Sequence, residues 1–183
     1  MTIDAGPGEL YTTPARAADV EALAALVNGA YRGDSSRRGW THEADLVGGT
    51  RTDAAALREL IASPDRVMLV LRATSGLFAC ALIERQPGGV CELGMLSVRP
   101  ALQGSGIGRQ MLAAAERYAR TRFEAHCVEL TVIDLREELI AWYERRGYVL
   151  TGETRPFPDD EPRSAPPLRA GLRVAVLRRE LVP

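Results

Sequence analysis

Lysine is absent from this 183-residue chain, and all 23 of its basic residues are arginine. Catalysis through a Schiff base on a lysine of this protein is therefore excluded. A P-loop is excluded as well, because that phosphate-binding loop needs a lysine after its glycines. Alanine and arginine are abundant throughout the chain. This bias is typical of a GC-rich genome, and we interpret the missing lysine in that way.

Cysteine and histidine are scarce, with three cysteines and two histidines in the chain. An odd number of cysteines without a CxxC pair, together with the lack of a signal peptide, predicts a reducing, cytoplasmic environment. No HExxH pattern occurs, so we expect no metal centre. The best candidates for a Cys–His nucleophile pair are His126 with Cys91 or Cys80. We interpret all the cysteines as small core residues instead.

A surplus of charge and long apolar runs are also lacking. The net charge is −1, and no stretch reaches the roughly 18 apolar residues that a membrane span requires. We therefore expect neither a nucleic-acid nor a membrane partner. The hydrophobic fraction of 46% and charged fraction of 26% are those of a soluble globular protein. The length predicts one domain over residues 1–183. Solvated surface is the interpretation for the short arginine pairs Arg37-Arg38, Arg145-Arg146 and Arg178-Arg179.

Hydrophobic periodicity and turn residues predict an alternating set of elements. They are a strand over 9–14, helices over 20–31 and 52–61, strands over 67–71, 77–83 and 91–98, a helix over 107–122, a strand over 128–133, a helix ending at 146, and strands over 148–153 and 172–181. Thr52 is predicted to cap the second helix. Asp134 and Glu137 resemble a capping box for the last one, with Gly147 after its end. A Pro-rich loop is predicted over 155–170. This order predicts an α/β fold, a mixed sheet with helices on both faces.

Residues 98–109 read VRPALQGSGIGR and place glycines at every second position where a strand ends and a long helix begins. A Rossmann GxGxxG pattern would require a glycine at Arg109 or at Met111, so that motif is excluded. The first turn of a helix has unpaired N–H groups that favour an anion. Glycines let a phosphate approach such a backbone closely. A plain flexible turn is the alternative, but the flanking strand and helix favour a phosphate site.

The strand ELGMLSVRP followed by Gln103-x-x-Gly106-x-Gly108 resembles the (Q/R)xxGx(G/A) acetyl-CoA signature of the GNAT N-acetyltransferase superfamily. Downstream, LTVIDLREELIAWYERRGY is similar to the family's fifth strand and following helix. The resemblance extends over residues 9–155. It implies a GNAT-like, mostly antiparallel sheet and acetyl-CoA as acyl donor without a metal.

The resemblance also implies which residues hold the donor. The end of the strand would bind pantetheine through Leu96, Ser97 and Val98. The loop would bind the pyrophosphate through Gln103, Gly104, Ser105, Gly106, Ile107, Gly108 and Arg109. Many family members carry an asparagine early in the last helix, where this chain has Arg136.

Two residues are candidates for proton transfer. Glu92 lies between apolar neighbours in the strand that would bind pantetheine, and burial would raise its pKa into the range of a general base. Its position resembles the strand glutamate that acts as base in histone-acetyltransferase-like members. The alternative is an exposed or ion-paired strand glutamate. Tyr143 is the candidate general acid, because a phenol with a pKa of about 10 stays protonated at neutral pH. Core packing beside Trp142, or a role for Tyr148 in its place, are the alternatives.

Carbonyl polarisation is predicted for a backbone N–H near Leu96 or Ser97, and Gly94 is predicted to mark a bulge that opens the strand there. In the family the acceptor is usually bound by the loop between the first two helices and by the connection before the last strand. Candidate acceptor residues are Tyr31, Arg37, Trp40, Glu43, Asp45 and Arg51, together with the connection from 156 to 168. This mixture of residues suits a small zwitterion or a peptide end equally well.

The predicted function is transfer of an acetyl group from acetyl-CoA to a primary amine of a small molecule, by direct attack in a ternary complex. Acetylation of a lysine or N-terminus of a protein is one alternative, and a non-catalytic CoA-binding module is another. The oligomeric state stays open. A homodimer through the C-terminal strands is what the resemblance implies.

Overall fold

The computed structural model of the protein describes residues 9–158 and 167–181. Within them, seven strands form one sheet, and four α-helices pack against it. The elements in chain order are β1 (Tyr11–Pro14), α1 (Val20–Tyr31), α2 (Ala54–Ala62), β2 (Arg66–Ala73), β3 (Gly76–Gln86), β4 (Val90–Val98), α3 (Ile107–Arg122), β5 (Cys127–Ile133), α4 (Glu137–Glu144), β6 (Val149–Pro156) and β7 (Arg173–Glu180).

The strands lie in the order β1-β2-β3-β4-β5-β7-β6. All neighbouring pairs are antiparallel except β4 and β5, which run parallel. Parallel neighbours need a long crossover connection, and α3 supplies it between these two strands. The predicted mixed, mostly antiparallel sheet is therefore confirmed.

The helices cover both faces of the sheet, as predicted. On one face, Leu23 and Val27 of α1 and Leu57 of α2 are fully buried against Met68 and Val70 of β2. Successive residues of a strand point to opposite faces. The intervening residue Leu69 therefore belongs to the cluster on the other face, which α3 and α4 cover.

Both predicted helix caps are wrong in detail. Asp53, not Thr52, is the N-cap of α2, and its side chain accepts a hydrogen bond from the Ala56 N–H at 2.8 Å. The Thr52 backbone is instead held by a side chain of α1, so the helix begins one residue later. Arg136 is the N-cap of α4 and makes no side-chain cap bond. A turn that joins the Arg136 N–H to the Ile133 carbonyl at 2.9 Å delays the start of α4.

The end of α4 and the loop before the last strand also differ from prediction. The helix ends at Glu144 rather than at 146, and Gly147 follows with a φ of +85°. Strand β6 continues through Pro156, two residues into the predicted loop over 155–170. Pairing with β7 as far as Pro156↔Arg173 extends the strand. Residues 159–166 of that loop lie outside the described residues.

Candidate active site

A β-bulge interrupts β4 near its centre. Between Gly94 and Ser97, two residues of β4 lie opposite a single residue of β3. The first of them, Met95, has a φ of +46°, which is rare for a residue other than glycine. A bulge is thus confirmed, but it begins directly after the predicted Gly94, which still pairs with Leu82. It changes the direction of the second half of the strand.

The bulge coincides with a gap between β4 and β5. The two strands pair only from Val90↔Cys127 to Glu92↔Glu129. Beyond Glu92, the edge of β4 that faces β5 has no strand partner in the described part of the chain. A strand edge of this kind can accept an extended ligand as if it were a further strand.

The glycine loop lies at the end of β4 and leads into α3. Gly104 and Gly106 have φ values of +83° and +92°, a conformation that glycine adopts without steric cost. The first helical N–H with an intrahelical acceptor is that of Gln110, which bonds the Gly106 carbonyl at 3.0 Å. The N–H groups of residues 107–109 therefore have no helical acceptor. Gly108 serves packing, since a Cβ there would contact Val98 at 3.5 Å and Trp142 at 3.6 Å.

A cavity of about 600 Å³, here called the glycine-loop cavity, borders this loop. Arg109, Arg145 and Arg146 line it. None of the three forms an ion pair with a carboxylate of the described residues. The Arg146 guanidinium carbon lies 3.6 Å from the centroid of the Trp142 ring. Burial and the charges of the other two arginines lower the pKa of Arg146. Guanidinium groups without a carboxylate partner, beside helix N–H groups without a helical acceptor, suit a phosphorylated ligand.

The predicted donor-binding residues divide into two groups. Those that line the glycine-loop cavity are Leu96, Val98, Gln103, Gly104, Ser105, Gly106, Gly108 and Arg109. Ile107 instead packs against the core. Ser97 is buried, and its hydroxyl donates to the Met95 carbonyl at 3.0 Å. Ser97 can therefore offer a ligand only its backbone.

Gln103 reaches the cavity wall, but its side chain faces another loop. The amide lies so close to Gly39 that a Cβ on that glycine would fall 2.4 Å from Gln103 Oε1. Its Nε2 donates weakly to the Val98 carbonyl at 3.5 Å, and Oε1 is buried without a partner in the described residues. Gln103 thus packs the glycine loop against the loop after α1.

A second cavity, of about 380 Å³, lies beside the gap between β4 and β5 and is here called the Glu92 cavity. Its walls come from the end of α1, the segment 50–53, β4, β5 and α4. The residues common to both cavities are Tyr31, Leu96, Arg136, Leu139 and Tyr143. The two cavities are therefore adjacent, and a ligand in one would lie next to a ligand in the other.

Glu92 stands in the middle of a row of charged residues that crosses five strands. Strand register aligns Arg66, Glu84, Glu92, Glu129 and Arg178 in that order. Arg66 pairs with Glu84 at 2.9 Å, and Arg178 pairs with Glu129 at 3.5 Å. Glu92 forms no ion pair with a described residue and opens into the cavity that bears its name. The Glu92 side chain is accessible from the cavity, but the surrounding walls remove part of its hydration. This desolvation, and then the Glu84 charge, raise the pKa of Glu92.

Tyr143 is buried on the inner face of α4 and belongs to the wall between the cavities. Burial, followed by the nearby Tyr31 phenol, raises the pKa of Tyr143, so it stays protonated well above neutral pH. The competitor Tyr148 lines neither cavity, and its hydroxyl donates to Glu116 at 3.0 Å. Between the two tyrosines, geometry therefore favours Tyr143 as a group that can reach a ligand.

A buried ionic cluster adjoins this wall, and sequence reasoning missed it. Glu43 accepts hydrogen bonds from Arg32 at 3.2 and 3.3 Å and from Arg136 at 3.0 Å. Arg136 also donates to Thr41 Oγ1 at 2.7 Å. The side chains of Arg32, Glu43 and Arg136 are at most 11% exposed. Since Glu43 and Arg136 lie 93 residues apart in the chain, no local pattern could have paired them.

The candidate acceptor residues fall in different places. Tyr31 belongs to the shared wall, so a ligand in either cavity would contact it. Trp40 lines the glycine-loop cavity only, so it faces the predicted donor rather than the acceptor. Glu43 lines the Glu92 cavity with its carboxylate already bound to two arginines. Arg37 and Asp45 pair with one another at the surface and line neither cavity.

The cysteines lie in the core, as interpreted from the sequence. All three are buried thiols without a disulfide. Burial raises the pKa of Cys80 to about 12 and that of Cys91 to about 11, so both stay protonated and weakly nucleophilic at neutral pH. Among the described residues, no group of three His, Cys, Asp or Glu side chains is arranged to hold a metal ion. None of the described helices combines the length and apolar character needed to cross a bilayer.

Comparison with known proteins supplies an independent finding. A family model described as the acetyltransferase (GNAT) family matches residues 29–148. No curated protein sequence matches the chain significantly.

Solved structures show the same fold at low identity. One is the ribosomal-protein-S18-alanine N-acetyltransferase from Escherichia coli, at 13% identity and a TM-score of 0.68, covering 96% of each chain. A variant of spermidine N-acetyltransferase SpeG from Vibrio cholerae has 14% identity and a TM-score of 0.67 over 93% of each chain. A third is yncA from Salmonella typhimurium with its cofactor acetyl-CoA, at 18% identity and a TM-score of 0.66 over 96% of each chain.

Proposed function

Because this chain belongs to the GNAT acetyltransferase family, we propose that it transfers the acetyl group of acetyl-CoA to the primary amine of a small molecule. The observation that carries the proposal is the wall shared by the two cavities. One cavity has the chemistry for a phosphorylated donor, and the other contains a carboxylate with a raised pKa. Tyr143 lies where the two meet.

Residues of this chain fit the donor in two respects. The unpaired N–H groups at the start of α3, with Arg109, Arg145 and Arg146 nearby, suit the phosphates. The free edge of β4 beyond the bulge suits the amide groups of the pantetheine arm. When bound, acetyl-CoA supplies a thioester whose carbonyl carbon is open to attack by an amine.

Glu92 is the proposed general base. An amine arrives as an ammonium ion and must lose a proton before its lone pair can attack. A carboxylate with a raised pKa takes that proton more effectively than an ordinary surface glutamate does. The solvent-accessible setting of Glu92 allows a water molecule to relay the proton. A backbone N–H near Leu96 or Ser97, beside the bulge, is proposed to polarise the carbonyl.

Tyr143 is the proposed general acid. As the nitrogen bonds to the carbonyl carbon, the carbon–sulfur bond breaks and the sulfur takes the Tyr143 phenol proton. The new amide gives up a second nitrogen proton to solvent, and the tyrosine is reprotonated from solvent. The reaction thus yields the acetylated amine, free CoA thiol and one net proton. The protonated, buried cysteines support direct attack rather than an acetyl-cysteine route.

The test is release of free CoA thiol from acetyl-CoA over a panel of amino acids, polyamines, and peptides with a free N-terminus or a lysine. Tyr143→Phe should lower kcat about 100-fold or more, a typical contribution of general acid catalysis, and leave CoA affinity unchanged. Tyr148→Phe is the matched control, because that tyrosine is buried on the same side but lines neither cavity.

Equal turnover by wild-type protein and Tyr143→Phe would remove the tyrosine from the mechanism. Turnover of peptides alone would replace the small-molecule acceptor by a protein one. Binding of CoA without thiol release on any acceptor would contradict an enzymatic role.

A further inference from the structure

Four arginines line the Glu92 cavity: Arg32, Arg51, Arg66 and Arg136. Three of them are already bound by carboxylates. Glu43 holds Arg32 and Arg136, and Glu84 holds Arg66. Arg51 differs, because no carboxylate of the described residues lies within ion-pair distance of its guanidinium group. It is only partly exposed, and a partly buried charge without a counterion is costly.

The backbone that carries Arg51 is firmly held. Asn28 of α1 accepts hydrogen bonds through Oδ1 from the Arg51 N–H at 2.7 Å and the Thr52 N–H at 3.1 Å. Its Nδ2 donates to the Thr52 carbonyl at 2.9 Å, and Arg32 Nη1 donates to the Thr50 carbonyl at 2.8 Å. These bonds fasten the segment on both sides of Arg51.

The Arg51 side chain is oriented as well. Its guanidinium carbon lies 5.6 Å from the centroid of the Tyr31 ring, within the range of a cation–π contact. Tyr31 belongs to the wall that the two cavities share. Arg51 itself lines the Glu92 cavity and not the glycine-loop cavity. Its charge is therefore presented on the acceptor side.

Two other arginines, Arg32 and Arg136, line the same cavity as Arg51. Arg32 and Arg136 share one carboxylate, that of Glu43, and Arg51 has none among the described residues. Burial lowers the pKa of Arg32, the Glu43 charge raises it, and the Arg51 charge lowers it again. The guanidinium groups of Arg32 and Arg51 therefore repel one another. An anion bound at Arg51 would relieve this repulsion.

Glu92 supplies the opposite charge in the same cavity. It too lacks an ion-pair partner in the described residues, since Arg66 pairs with Glu84 and Arg155 with Glu129. The other carboxylate near Arg51 in sequence, Asp53, is engaged as the N-cap of α2. The Glu92 cavity thus presents one unpaired cation on the segment 50–53 and one unpaired carboxylate on β4.

Resting on the proposed function, we propose that the acceptor amine also carries a carboxylate, which Arg51 binds while Glu92 faces the ammonium group. A cavity of about 380 Å³ holds a molecule of amino-acid size. Arg51 would be a specificity-determining residue, because a planar guanidinium group can bind both oxygens of a carboxylate. A polyamine, or a protein N-terminus with an amide in place of the carboxylate, would leave Arg51 unpaired in the complex.

The experiment compares amino acids with their primary amides, and with spermidine, as acceptors for wild-type protein and Arg51→Gln. Wild-type protein should prefer the amino acids. In Arg51→Gln, kcat/KM for the preferred amino acid should fall by roughly 10- to 100-fold, the range for loss of a hydrogen bond to a charged group. The value for the matching amide and the KM for acetyl-CoA should not change. Arg51→Lys, which keeps the charge but not the planar fork, should be intermediate.

Arg37→Gln is the matched control, because Arg37 lies in the same connection between α1 and α2, is exposed and lines neither cavity. Equal turnover of amino acids and amides, or an equal loss for both in Arg51→Gln, would overturn the inference. Calorimetric binding of the same amino acids and amides to the CoA-loaded protein keeps the two proposals distinct. Selective amino-acid binding that Arg51→Gln abolishes, without thiol release, would support the carboxylate site and contradict the transfer reaction. Binding of neither ligand would overturn the carboxylate site.

Discussion

Glu92 gains its chemical character from its neighbours across the sheet. Burial raises its pKa first, and the Glu84 charge on β3 raises it further. A general base works only when it is deprotonated. We therefore expect kcat/KM to fall as the pH falls through a pKa above the ordinary glutamate value, and to level off above it.

A pH profile of three proteins checks this expectation. Glu92→Gln should lower kcat/KM strongly and remove the acid limb of the profile. Glu84→Gln should keep activity but shift the limb to lower pH, because it removes a negative charge that raises the Glu92 pKa and frees Arg66 to lower it. An unchanged acid limb in Glu92→Gln would assign the proton transfer to another group.

At the scale of one element, the start of α3 places a glycine with positive φ beside the proposed phosphate site. Gly106 is the N-cap of α3 with a φ of +92°. A Cβ there would meet nothing closer than Arg109 Nη2 at 3.7 Å, so the protein itself has space for it. The cost of a side chain is then conformational strain, about 1–2 kcal/mol for a left-handed residue, together with a methyl group on the surface of the glycine-loop cavity.

Gly106→Ala should therefore lower the free energy of unfolding by about 1–2 kcal/mol and raise the KM for acetyl-CoA. Gly88→Ala is the matched control, because Gly88 has a φ of +75° in the turn between β3 and β4, and a Cβ there would have nothing within 4 Å. It should lose similar stability with an unchanged KM. Chemical denaturation and steady-state kinetics measure both quantities. An equal KM for both variants would argue that the donor does not approach Gly106.

At the scale of the whole molecule, the cluster of Arg32, Glu43 and Arg136 connects parts that pack on opposite faces of the sheet. Arg32 follows α1 on one face, and Arg136 precedes α4 on the other. Glu43 lies in the connection between α1 and α2. The cluster thus joins the end of α1 to the start of α4 beside the gap between β4 and β5.

Removing the shared Glu43 carboxylate should show how much the cluster contributes to the free energy of unfolding. Glu43→Gln leaves two buried arginines without a counterion, so we expect the free energy of unfolding to fall by about 3 kcal/mol. Asp45→Asn, which breaks the exposed pair with Arg37 in the same connection, should cause no measurable change. Denaturant titrations compare the two variants. An equal loss of unfolding free energy in both variants would mean that the buried cluster stabilises the protein no more than the exposed ion pair does.

The order of the elements and the glycine loop could be predicted from the sequence, because both depend on local signals. Apolar runs in the strands, helical spacing in α1 and the turn residues between strands act over a few positions. The glycine loop could be predicted for the same reason, because a backbone conformation with positive φ is favoured by glycine at that single position. The cap predictions failed for Thr52 and Asp134 because several adjacent residues can cap a helix, and tertiary bonds to Asn28 and a turn at Ile133 decided between them.

The sequence by itself therefore determined the fold class, the family resemblance and the position of the glycine loop. Tertiary structure alone decided which charges are neutralised and which remain available. It bound Glu43 to Arg32 and Arg136, turned Trp40 toward the glycine-loop cavity, and left Arg51 and Glu92 without ion-pair partners among the described residues, in one cavity. The physical reason is that an ion pair depends on distance in space, and residues 93 positions apart approach one another only after the sheet has formed.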